Sequence, residues 1–121
     1  MKRKRILIVE NEPVTAMDEH QIVSRLGYEI VGICGSGEDA IQRALETRPD
    51  LILMDLMLND GISGNVAADE ICAVYDVPIL YVTAMGDKEK SNEATPPDNV
   101  GYIVKPYFEE ELMTEINRLI G

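Results

Sequence analysis

A chain of 121 residues, 45% of them hydrophobic, suits one domain around one core. Its 22 acidic residues outnumber 11 basic ones for a net charge of −11, and four of the basics open the chain at Lys2, Arg3, Lys4 and Arg5, so the body is more acidic still. Such a surface repels nucleic acid and anionic membranes, which excludes direct DNA contact as the expected activity. The two cysteines, Cys34 and Cys72, are too few for a metal cluster or a disulfide scaffold and read as buried thiols of a reducing cytosol. No apolar run has the length of a signal-peptide core or a membrane span.

The basic start reads as a solvated lead-in to a first strand, Ile6-Leu7-Ile8-Val9, which ends in Glu10-Asn11-Glu12. Pro13 fits a first helical position, and a helix is expected to about Leu26, with Gly27 as its stop. Its apolar stripe of Ala16, Ile22, Val23 and Leu26 is interrupted by Asp18-Glu19-His20, and His20 reads as a solvated helix residue. Tyr28 to Cys34 carries Glu29 and Gly32, which suits an edge strand. Ser36-Gly37-Glu38-Asp39 resembles a capping box, and Ala40, Ile41, Ala44 and Leu45 follow at helical spacing until Pro49.

Leu51 to Leu58 holds seven apolar residues and one carboxylate, Asp55. A short unbroken apolar run marks a strand covered on both faces of a parallel sheet. A charge there is costly unless it stands at the strand's end facing an opening. A turn-rich loop from Asn59 to Gly64 leads to a helix from about Asn65 to Tyr75 that is expected to bury Ala67, Ile71 and Val74. Ile79 to Val82 is a fourth strand closing at Thr83-Ala84. Asp87 to Ala94 is expected as a short helix with almost no apolar face, stopped by Pro96-Pro97, and as the loosest element. Val100 to Val104 is the last strand, followed by Lys105-Pro106. A final helix from Glu109 to Ile120 is expected, with Phe108, Leu112, Ile116 and Leu119 as its core stripe and three glutamates at its start to suit the helix dipole.

Strand and helix thus alternate five times without repeat or linker. That order predicts a flavodoxin-like (βα)5 α/β fold, a doubly wound parallel sheet with strand order 2-1-3-4-5. In such a sheet the carboxyl ends of all strands share one edge. Glu10 and Asn11 close the first strand, Asp55 the third, Thr83 the fourth and Lys105 the fifth. Each alone has a plain reading as a loop cap or a surface lysine; their coincidence on one edge does not. Hard oxygen donors without nearby Cys or His point to Mg2+ rather than zinc. A phosphoryl group bridged to that cation and braced by lysine needs these parts, with Asp55 as the nucleophile forming an acyl phosphate.

These residues resemble the receiver domain of two-component response regulators over nearly the whole chain. The matching pieces are Ile6 through Glu12, Leu53-Met54-Asp55-Leu56-Met57-Leu58, Val82-Thr83-Ala84 and Tyr102-Ile103-Val104-Lys105-Pro106. The resemblance implies a signalling phosphoacceptor rather than an enzyme, with Asp55 taking phosphate from the phosphohistidine of a sensor histidine kinase. It implies that Glu10, Asp55 and the Met57 carbonyl help hold Mg2+, and that Lys105 pairs with the phosphoryl oxygens. Thr83 would move to hydrogen-bond them and Tyr102 would change rotamer. The face of the fourth predicted helix, fifth strand and final helix would then signal to a downstream protein, an output domain or a second copy of the chain. The family's lysine–proline peptide is usually cis. A cytoplasmic location follows from the same resemblance, and the 121 residues hold no output domain of their own.

One departure stands out. The family's second acid after the first strand is a direct metal ligand, and here that position is Asn11. Its amide oxygen can coordinate Mg2+ but brings no charge, so weak metal binding is expected, with Glu12 a candidate to compensate. Met57 and Met85, two residues past Asp55 and Thr83, neither orient nor activate water, so a long-lived phosphoryl group is expected. Three other readings compete. A receiver-like interaction module without phosphorylation would exploit the loss at Asn11. A haloacid-dehalogenase-type phosphatase lacks its second aspartate, since Met57 stands there. A flavodoxin-like electron carrier lacks a phosphate cradle in the acidic loop from Glu10 to Pro13.

Overall fold

The computed structural model of the protein describes residues 3–84 and 99–121. They form β1 (Arg5–Val9), α1 (Pro13–Arg25), β2 (Glu29–Cys34), α2 (Gly37–Thr47), β3 (Leu51–Met54), α3 (Gly64–Cys72), β4 (Ile79–Ala84), β5 (Val100–Lys105) and α4 (Glu109–Ile120). The short helix expected over Asp87–Ala94 lies outside the described residues, as does Met85. The α4 of this numbering is therefore the final helix of the sequence reading.

The five strands pair in parallel in the order β2-β1-β3-β4-β5, the expected flavodoxin-like arrangement. Ile6 to Val9 and Leu51 to Met54 are at most 1% exposed, because β1 and β3 are central and covered on both faces. Alternation along the strands divides the core. Leu7, Val9, Ile52 and Met54 pack with Ala67 and Ile71 of α3 and Ala40 and Ala44 of α2. Ile6, Ile8, Leu51 and Leu53 pack with Ile22 and Val23 of α1 and Leu112 and Ile116 of α4. Each fully buried Ile or Leu contributes about 1.5–3 kcal/mol relative to exposure.

Local chemistry ends the elements where the sequence suggests. The Ser36 hydroxyl accepts from the Asp39 amide at 3.2 Å, capping α2. Pro13 opens α1, and Gly27, at φ +91°, follows its last turn. The edge strand β2 is half-exposed, and the Arg43 guanidinium donates to the Val31 carbonyl at 3.1 Å, covering part of the open edge. The Lys105–Pro106 peptide is cis.

Several expectations need correction. Phe108 does not join the core stripe of α4 but caps its start, 76% exposed. Glu19 does not interrupt the inner stripe of α1 but lies on it, 1% exposed beside Ala16, Ile22 and Val23. His20, by contrast, is exposed as expected. Cys34 is buried, but Cys72 is exposed, outside the inner face of Ala67, Ala68 and Ile71. The helix α3 ends at Cys72 rather than running on to Tyr75, and Val74, expected in the core, is exposed. Tyr75 leaves the helix to donate its hydroxyl to the Pro49 carbonyl at 3.1 Å, with the Arg48 guanidinium over its ring.

Candidate functional site

The parallel ladder continues one step beyond the central strands. The Asp55 amide donates to the Val9 carbonyl at 2.9 Å, and the Glu10 amide donates to Cys34 at 2.8 Å. Glu10 and Asp55 therefore stand side by side at the carboxyl edge of the sheet, only 3% and 4% exposed. Lys105, the last residue of β5, brings its ammonium to both. Its Nζ lies 2.8 Å from Glu10 Oε1, 3.2 Å from Glu12 Oε1 and 3.5 Å from Asp55 Oδ2. The backbone completes the set: the Met57 amide donates to Asp55 Oδ1 at 3.3 Å and the Glu12 amide donates to Glu10 Oε2 at 3.0 Å.

Three carboxylates thus share one ammonium. Burial pushes the Glu10 carboxyl up to about 7; Lys105 and the Glu12 amide oppose that shift, and the Asp55 carboxylate adds to it. Burial alone would depress the Lys105 ammonium, but Glu10, Asp55 and Glu12 outweigh it and hold the group above its ordinary value. The Lys105 ammonium, 2.8 Å away, is the cation that faces the buried Glu10 Oε1. Among the described residues no three His, Cys, Asp or Glu side chains form a metal-holding group. Mg2+ asks for less: one or two carboxylates, with other oxygens and water completing its shell. The donor set, two buried carboxylates side by side and both now facing Lys105, is of the hard-oxygen kind that fits that cation.

The other candidates fall at graded distances from this centre. Met54 pairs with Tyr81 across β3 and β4, so Asp55 is level with Val82, and Thr83 stands one step beyond, fully buried. Asn11 is half-buried on the loop after Glu10, and the Met57 side chain is exposed. Tyr102 lies three residues before Lys105, opposite Tyr81, below the pocket rather than in it.

The loop that carries Met57 is pinned from two sides. Asp60 accepts from the Gly37 and Ile62 amides with Oδ1 and from the Glu38 amide with Oδ2, so it binds the start of α2. Those amides hold its carboxyl below the usual range. At the other end, a Cβ on Gly64 would lie 2.1 Å from the Asp55 carbonyl oxygen, so α3 begins hard against the Asp55 backbone. Sequence reasoning missed the reach of Asp60, which only the packing of two loops reveals, and left the direction of Glu12 open. Glu19 had a visible signal: it stands three residues after Ala16 and four before Val23, at the spacing of the inner stripe.

Residues 6–117 match the response regulator receiver domain, and the chain belongs to that family. It is 36% identical over 103 residues to the phyllosphere-induced regulator PhyR of Methylorubrum extorquens, covering 84% of this chain and 38% of that protein. It is 35% identical over 120 residues to the transcriptional regulatory protein PdtaR of Mycobacterium tuberculosis, covering 98% of this chain and 57% of that protein. The chain therefore spans well under two thirds of either relative. The solution structure of the Erythrobacter litoralis PhyR receiver domain superposes with a TM-score of 0.85 at 29% identity, covering 99% of this chain and 92% of that one.

Proposed function

We propose that this receiver domain accepts a phosphoryl group on Asp55 from the phosphohistidine of a sensor histidine kinase, with Mg2+ as cofactor. The observation that carries the reading is the Lys105 ammonium 3.5 Å from Asp55 Oδ2 in a pocket shared with Glu10. An Asp55 carboxylate oxygen attacks phosphorus, the phosphorus–nitrogen bond breaks, and the imidazole leaves with its electron pair. Lys105, held by three acids beforehand, shifts its charge toward the new phosphoryl oxygens. Mg2+, when bound, neutralises the acids and the incoming phosphate; Glu10, Asp55, the Met57 carbonyl and the Asn11 amide are the groups to hold it.

The domain acts as a signalling phosphoacceptor in the cytoplasm rather than as an enzyme with turnover. Charge gained at Asp55 draws the Thr83 hydroxyl inward, Tyr102 follows, and the face of β5 and α4 changes. That face then addresses a downstream protein, an output domain or a second copy.

Incubation with acetyl phosphate or phosphoramidate and Mg2+, read by intact mass, tests this. The wild type should gain one phosphoryl group and Asp55→Asn none. A wild type that gains nothing at any Mg2+ concentration would sink the reading and favour a receiver-like interaction module. Asn11→Asp should tighten Mg2+ binding by about tenfold or more, since a unit charge beside a divalent ion is worth more than one decade at surface dielectric. Equal half-saturation in the two proteins would remove Asn11 from the site.

A further inference from the structure

Below the pocket, β4 and β5 are joined by a pair of rings. Tyr81 and Tyr102 are register partners, their ring centroids 5.1 Å apart and their planes inclined by 16°. Tyr81 is 7% exposed among Met54, Ala67 and Ile71, with Tyr102 half-buried against the same cluster. Side chains alternate along a strand, so Tyr81 and Thr83 share one face of β4. Tyr81 thus stands between two groups the proposed switch would move, Thr83 along the strand and Tyr102 across it. Its own ring is fixed by the core.

We infer that Tyr81 is a positioning residue: by stacking, it holds the Tyr102 ring in one conformer and so sets how readily a change at Asp55 reaches the β5–α4 face. This rests on the phosphoacceptor reading above for its consequence, though not for the stack itself. A stack of this geometry favours the paired conformer, and the preference requires a ring, not a hydroxyl. Any group that pulls Thr83 toward Asp55 alters the packing over Tyr81 and weakens the hold on Tyr102. Without the ring, Tyr102 would sample its second rotamer before any phosphate arrives, and the conformer that accepts phosphate would be populated in advance.

The test compares Tyr81→Leu and Tyr81→Phe in the full chain. Three-bond couplings from the Tyr102 backbone nitrogen and carbonyl carbon to its Cγ report the rotamer and are insensitive to the loss of a neighbouring ring. Tyr81→Leu should give averaged couplings without phosphate, while Tyr81→Phe keeps the single-rotamer values. Phosphorylation by acetyl phosphate, followed by intact mass, should be roughly two- to tenfold faster in Tyr81→Leu and unchanged in Tyr81→Phe. A single rotamer in Tyr81→Leu, averaging in Tyr81→Phe, or averaging without a change in rate would each overturn the inference. Should Tyr81→Leu fail to fold by circular dichroism, Tyr81→Met takes its place. If neither wild type nor variant gains phosphate, the phosphoacceptor reading fails, and the couplings alone decide the role of Tyr81.

Discussion

On the α2–α3 face of the sheet, the buried core consists of aliphatic side chains, Met54, Cys34 and the Tyr81 ring. On the α1–α4 face, the same kind of core holds Glu19, 1% exposed, with one carboxylate oxygen lacking a hydrogen-bond partner among the described residues. Burial raises the Glu19 carboxyl well above its ordinary value, and the acids Glu10, Asp55 and Asp18 push the same way against Lys105. The first face is apolar up to Thr83 at the end of β4. The second buries an acid beneath the charged pocket. Its presence teaches that helical position, not residue type, decided what α1 buried.

The largest effect is expected on the apolar face. Ile71→Ala should cost about 2–5 kcal/mol by cavity formation, measured by urea unfolding. Glu19→Leu is the counterpart on the other face, and here the sign reverses: replacing an unpartnered acid with an alkyl group of similar size should stabilise the fold by about 1–3 kcal/mol. A loss of stability in Glu19→Leu would show that the carboxyl has a partner worth keeping.

The same residue predicts a pH dependence. Burial raises the Glu19 carboxyl well above the ordinary carboxylate value of 4.5, so above pH 4.5 the folded state favours its proton more than the unfolded chain does. The folded state then binds more protons than the unfolded one, so stability falls as pH rises from there toward the raised native value. Glu10, raised to about 7, acts in the same direction over pH 4.5 to 7. Glu19→Leu should flatten the wild-type slope by up to about 1.4 kcal/mol per pH unit, leaving the part due to Glu10. Equal slopes in the two proteins would mean that Glu19 is ionised where it lies. The smallest effect belongs to the exposed Asp60: Asp60→Ala should speed hydrogen exchange at the Gly37 and Glu38 amides while leaving the global unfolding midpoint little changed.

Much of this molecule was legible from its residues. Unbroken apolar runs marked β1 and β3, and the polar residue after each marked the site, because burial on both faces leaves a charge only the strand's end. Ser36 and Glu109 announced their helices through chemistry confined to one turn. What escaped notice depends on partners distant in the chain. Asp60 binds amides 22 and 23 residues away, and Glu12 reaches a lysine 93 residues away. Glu19 was misread for another reason: its type outweighed its position in a stripe whose period already pointed inward.

The contact between Gly64 and the Asp55 backbone bears on any attempt to re-engineer this domain. In a saturation library, position 64 should tolerate almost no replacement, because even one added carbon would overlap the Asp55 carbonyl and displace Asp55 from Lys105. Gly61, three residues earlier, has open space around it and a φ of +78°, so asparagine should be accepted there. A designer wishing to vary side chains near the site would therefore change 61 and leave 64 untouched.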